Sequence, residues 1–198
     1  MESNTAKFLV PLAFPRMAAF IKKSICVLAG DVGGTKTNLA LFKVQNCQLE
    51  RLCASSYHSK EYNSLADVIH QFLQEHPDIK PERVCIGVAG PVIQGKVELT
   101  NLNWQVDIRD IGQSLGIEEA ALLNDLEATA YGLAGLQEKD LFSIRSGEFE
   151  RGGNMAVLAP GTGLGEACLF WNGETYHPFA TEGGHCDFAP RTEMDMEL

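Results

Sequence analysis

Between residues 24 and 58, apolar and polar positions alternate in short runs, each closed by a turn signal. Ile25-Cys26-Val27-Leu28 is β-prone, the pair Gly33-Gly34 follows, and NLALFKV resumes with Asn38, Ala40, Phe42 and Val44 on one side of a two-residue period. Glycine enters positive φ without steric penalty, so the pair marks a tight turn. The pattern predicts three hairpin-linked strands over 24–31, 38–45 and 48–58. The period then lengthens: Leu65, Val68, Ile69, Phe72 and Leu73 recur at helical spacing, after a capping-box-like Ser64 and Asp67 and before Pro77. RVCIGVA, 83–89, is a buried strand ending at Gly90-Pro91, and VIQGKVELT reads as a short hairpin. Asp107 then caps a helix that closes at Gly116, 120–123 is a strand, and Asn124-Asp125 opens the helix LEATAYGLAG.

Residues 137–154 are polar and contain glycine, as a domain boundary does. Beyond them the opening design returns: 155–159 is a strand, PGTGLG a glycine turn, and EACLFWNG a second strand. VLAGDVGGT from Val27 lies over VLAPGTGLG from Val157, which is what two lobes gripping one phosphate chain would need. Residues 1–23 fit neither design. They hold Lys7, Arg16, Lys22 and Lys23 against Glu2, with Pro11 and Pro15, which suits a signal peptide poorly. They are expected to be a poorly ordered leader, with folded structure from about Lys23 and Met17 as an alternative start.

A length of 198 residues allows one large domain, or one domain and part of another. The net charge of −10 argues against a nucleic-acid or anionic-lipid surface, and no apolar run reaches the length of a membrane span. Six scattered cysteines without metal-ligand spacing read as reduced thiols, so the expected setting is cytoplasmic.

AGDVGGTKT imitates a nucleotide-binding P-loop, but Thr35 stands where that pattern requires glycine, and a strand follows where it requires a helix. Gly161-Thr162-Gly163-Leu164-Gly165 likewise opens a strand, not the helix of a dinucleotide fingerprint. Each turn alone is a hairpin connection. Together, with Thr35 and Thr162 as hydroxyl donors, they favour a cradle of backbone N–H groups for phosphate, directed into one shared cleft. Asp125 is read either as a helix cap or as a carboxylate kept ionised there, able to accept a proton from a hydroxyl. Glu182 and His185 lack the further ligands zinc needs but suit a polyol, as do Asn101 and Asn103 unless they only shape a turn.

Five motifs in order, D-V-G-G-T (31–35), T-N-x-x-W (100–104), L-N-D (123–125), G-T-G-L-G (161–165) and E-G-G-H-x-D-F-A-P (182–190), closely resemble the bacterial glucokinases. The resemblance runs from about Ser24 to Pro190. It implies the α/β fold of the actin-like ATPases (a ribonuclease H-like lobe with mixed sheet and flanking helices), whose two lobes close over ATP and sugar. Residues 24–137 would form the small lobe and 138–198 an incomplete start of the large one.

The same resemblance makes Asp125 the general base toward the glucose 6-hydroxyl, with Asn124, Glu182, His185 and Asn101 on the other hydroxyls. Gly33, Gly34 and Thr35 would face the ATP phosphates from one lobe and Gly161, Thr162 and Gly163 from the other, with Asp31 ordering Mg²⁺ through its waters. Phosphoryl transfer needs this kind of positioning and charge neutralisation more than covalent chemistry. Family members continue with most of the large lobe and can pair as homodimers, so this chain alone is expected to lack turnover. The alternatives are a kinase for an amino or N-acetyl sugar, against which the isolated Cys186 counts, and a non-catalytic sugar-binding fragment.

Overall fold

The computed structural model describes residues 10–13, 24–45, 48–145, 147, 152–161, 163–187 and 189–196. Strands β1 (Ile25–Val32), β2 (Lys36–Gln45) and β3 (Gln48–His58) form an antiparallel meander, as their alternation and turn signals predict. β4 (Arg83–Val88) and β7 (Ala120–Asn124) add in parallel, giving a five-stranded mixed sheet in the order β3-β2-β1-β4-β7.

Helix α1 (Leu65–Glu75) covers one face of that sheet. The Ser64 hydroxyl accepts from the Asp67 amide at 3.1 Å, which satisfies a donor the first turn leaves open. Leu65, Val68, Ile69 and Phe72 from α1 pack with Leu28, Val32, Leu39, Leu41, Val84, Ile86 and Val88, all almost fully buried. Helix α2 (Ile108–Leu115) extends this layer, capped by Asp107 and closed by Gly116 in the left-handed region at φ 68°.

The stretch VIQGKVELT is not the hairpin its pattern suggests. Ile93 and Lys96 form only an isolated bridge across Gln94-Gly95, and Pro91 has no N–H with which to lengthen the ladder. The hairpin is instead β5 (Lys96–Leu99) with β6 (Trp104–Asp107). Trp104 draws it inward: the ring is buried, and its N–H donates to the Tyr62 carbonyl at 3.3 Å.

Helix α3 (Asp125–Gly132) lies on the other face of the sheet and continues as a 3-10 turn over Leu133–Gly135. Gly87 of β4 permits this approach, because a Cβ there would stand 3.3 Å from the Ala128 methyl. The opposite side of α3 supports a second, antiparallel sheet of β8 (Met155–Pro160), β9 (Leu164–Trp171) and β10 (Tyr176–Thr181), in the order β10-β9-β8. Ala130 and Ala134 meet Ala167 and Leu169 in a separate small core. A helix held between two sheets cannot present a single apolar stripe, and small residues let it sit close to both. The far face of the second sheet leaves Leu158, Phe170 and Phe179 exposed.

The expected leader needs correction at residues 10–13. Leu12 bridges in parallel with Tyr176 and is only 6% exposed, the Ala13 amide donates to the Tyr176 carbonyl, and the Tyr176 amide donates to the Pro11 carbonyl. This short segment therefore covers the outer edge of β10. Leu12→Ala should destabilise the chain by about 2 kcal/mol, read by denaturant unfolding, and raise amide exchange at Tyr176. Unchanged stability and exchange would mean that the segment is not docked.

Candidate functional site at the start of helix α3

β7 carries the chain to the junction where the first sheet's parallel strands end, and there Asn124 turns it into α3. Asn124 is buried, and its side-chain oxygen accepts from the amides of Leu126 at 2.9 Å and Glu127 at 3.2 Å. Its side-chain nitrogen donates to the Gly90 carbonyl at 3.1 Å, fastening the cap to the loop after β4. The cap is thus Asn124, and Asp125 is the first helical residue.

Asp125 also accepts from the Leu126 amide, at 2.9 Å, and is half-buried. Burial pushes its carboxyl above the ordinary aspartate value; the Leu126 and Asp125 amides oppose this, while the charges of Asp31 and Glu182 add to it. A helix terminus favours the ionised carboxylate; here desolvation and two like charges outweigh its donors, which leaves a more basic carboxylate.

The two glycine turns sit between antiparallel strands, as their sequences predict. In the first, the Gly33 amide donates to the Lys36 carbonyl at 2.9 Å, and in the second the Gly161 amide donates to the Gly163 carbonyl at 2.8 Å. Those two amides are therefore used inside their own turns, which narrows the expected cradle of donors. Thr162 lies outside the described residues. Thr35 and Asp31 are exposed, and Asn38 donates to the Asp31 carboxylate at 3.1 Å. Asn101 stands against the first turn, its side-chain nitrogen 3.7 Å from where a Cβ on Gly34 would be.

Glu182 precedes a 3-10 turn over Gly183–His185, and the His185 ring nitrogen Nδ1 lies 3.2 Å from the Glu182 carboxylate. Both side chains are exposed. Gly184 is dictated by contact, because a Cβ there would run into the Leu164 backbone carbonyl, whereas one on Gly183 would meet only the movable end of the Glu166 side chain. The Thr181 hydroxyl accepts from the Gly183 amide at 3.1 Å. In this way β9 and β10 fix the turn, and it brings Glu182 within electrostatic reach of Asp125.

Sequence reasoning missed Ser59, Glu166 and Thr181, which touch the turns without belonging to any motif, and gave no part to Thr37, whose hydroxyl meets that of Ser59. The strand register offered the one available signal, since His58 at the end of β3 pairs with Lys36. Among the described residues, no group of three or more His, Cys, Asp or Glu could hold a metal ion. A lone carboxylate such as Asp31 nonetheless fits Mg²⁺, which binds through one or two carboxylates, substrate phosphates and water.

A family model described as "Glucokinase" matches residues 28–198. The chain belongs to the glucokinase family. It is 40% identical to a glucokinase of Nostoc punctiforme over 173 residues, covering 87% of this chain and 51% of that protein. A Saccharophagus degradans glucokinase is 32% identical over 174 residues, with 86% and 54% covered. A crystal structure of glucokinase from an Antarctic psychrotroph superposes with TM-score 0.76 at 31% identity, over 88% of this chain and 55% of that one. Glucokinase from Balamuthia mandrillaris in complex with glucose gives TM-score 0.67 at 21% identity over 86% and 51%, a likeness of fold. The architecture is that of the actin-like ATPases, and the family is one of phosphotransferases acting on sugar. The chain spans about half the length of the curated relatives it matches. No helix among the described residues is long and apolar enough to cross a membrane.

A carboxyl with a raised value in the folded state stabilises the fold while protonated and loses that contribution as pH rises through the raised value. Asp125→Asn cannot ionise and keeps the bond to the Leu126 amide. It should therefore melt above the parent chain at neutral pH, with the difference shrinking as pH falls through the raised value and gone below about pH 4. A lower melting temperature at neutral pH would instead make the ionised carboxylate an anchor of the helix.

Proposed function

We propose that the protein is the N-terminal part of an ATP-dependent glucokinase, directing phosphoryl transfer to the 6-hydroxyl of glucose. The observation that carries this reading is Asp125: a half-buried carboxyl made more basic, next to the Asn124 cap and within electrostatic reach of Asp31 and Glu182. A general base needs that combination of reach and proton affinity. The 6-hydroxyl proton passes to Asp125, the 6-oxygen bonds to the terminal phosphorus of ATP, and the bond from that phosphorus to the bridging oxygen breaks to release ADP.

Glu182 and His185 accept and donate to the sugar hydroxyls, with Asn101 at the rim beside Gly34. Asn124 has little left for sugar, because its oxygen serves two amides and its nitrogen serves Gly90. Gly33, Gly34 and Thr35 on one side, and Gly161, Thr162 and Gly163 on the other, approach the phosphates. Asp31 would hold Mg²⁺ through water, and the ion would offset charge on the phosphates. Relatives named glucokinase at 40% identity support glucose over an amino sugar. A second reading, a sugar-binding fragment without turnover, is favoured by the exposed Leu158, Phe170 and Phe179 of the second sheet.

The test joins this chain to the uncovered half of the Nostoc punctiforme glucokinase and follows glucose 6-phosphate. The joined protein should turn over, and Asp125→Asn should lower its kcat by about 10²–10⁴-fold with a much smaller change in glucose affinity. The 198-residue chain alone should bind glucose without turnover. Near-normal turnover of the variant would remove Asp125 from the chemistry.

A further inference from the structure

Ser59 lies just past β3, outside every motif that points to the site, yet it is fully buried. Its hydroxyl donates to the Gly33 carbonyl at 3.2 Å, and its amide donates to the Thr35 carbonyl at 3.0 Å. One residue thus holds two carbonyls of the same glycine turn. The Thr37 hydroxyl lies 3.0 Å from the Ser59 hydroxyl and is also fully buried. Because the single Ser59 hydroxyl proton is directed to a carbonyl, which only accepts, Thr37 must be the donor of that pair. The result is a one-way chain from Thr37 to Ser59 to Gly33.

The consequence follows from peptide geometry. A trans peptide carries its C=O and the next N–H on opposite sides, and there are no cis bonds here. Fixing the Gly33 carbonyl toward Ser59 therefore turns the Gly34 amide away from it, while the bond to the Thr35 carbonyl ties the far side of the turn to β3. A preset backbone donor at a glycine turn suits the oxygens of a polyphosphate. A glycine turn without this clamp could rotate its peptide planes and lose it.

We infer that Ser59 is a positioning residue that aims the Gly34 amide at the phosphates of the nucleotide. The inference rests on the kinase reading above and assigns Ser59 to the nucleotide half of the site only. Thr37 supports it by supplying a proton to the Ser59 oxygen. Glucose recognition rests mainly on Glu182 and His185 on another loop, with Asn101 at the rim touching this turn by its side chain only.

The test titrates inorganic triphosphate, and separately glucose, into the 198-residue chain and follows the backbone amides by NMR. Saturable shifts should appear at Gly34 with triphosphate. Ser59→Ala should weaken triphosphate binding about 3- to 10-fold, the worth of one hydrogen bond, with glucose affinity unchanged. Ser59→Cys keeps the volume but donates weakly, so it should show the same direction of change; it serves if the alanine variant does not fold. Parent-like triphosphate affinity in a folded variant would overturn the role of Ser59 while leaving the kinase reading intact. Equal losses for triphosphate and glucose would reduce Ser59 to a structural residue and overturn the inference. No response of the parent chain to triphosphate would bring down the phosphate cradle and this inference together.

Discussion

The Asn124 side chain is the constraint on which the arrangement depends. Buried at the end of β7, it closes the first turn of α3 with its oxygen and grips Gly90 with its nitrogen, so the helix start is fixed to the sheet. α3 then supports both sheets: Ala128 meets Gly87 of the first, and Leu126 meets Gly165 of the second. A shift of the helix would move Asp125 relative to both glycine turns at once. The pairing of an amide cap with an adjacent carboxylate also divides the labour. Capping, which favours an ionised acid, is done by a neutral side chain, and the acid is left to respond to its surroundings.

Those surroundings are desolvating and negative. Asp31 from β1 and Glu182 from the turn after β10 reach Asp125 from different sheets, and each disfavours its ionised form. Such a cluster is unfavourable for the empty fold and useful for accepting a proton, as is common where stability gives way to function. Residues that do not touch substrate hold the pieces still. Ser59 does so for the first turn, and Glu166 and Thr181 for the turn that carries Glu182 and His185.

Much of this was legible in the sequence. Strand alternation gave the meander, helical spacing and Ser64 gave α1, and Gly33-Gly34 gave a turn between strands because no helix pattern followed it. What escaped depended on partners far along the chain. Whether Asn124 or Asp125 caps α3 turns on the Gly90 carbonyl, which no local pattern reveals. The hairpin at 96–107 was misplaced because its register follows the burial of Trp104 rather than the nearest turn signal. Residues 10–13 looked like part of a leader because their partner, Tyr176, lies at the far end of the described fold. Ser59 carries no local signature, and only the β2–β3 register brings it to Gly33.

The account turns on Asp125 being a basic carboxyl rather than a helix cap, and a site-resolved titration of its side-chain carboxyl by carbon NMR separates the two. Its midpoint should lie above the ordinary aspartate value and move down in Asp31→Asn and in Glu182→Gln, each of which removes one repelling charge. A midpoint below the ordinary value and indifferent to both substitutions would contradict the account, because a carboxylate that served the helix terminus would be held ionised by the helix amides alone.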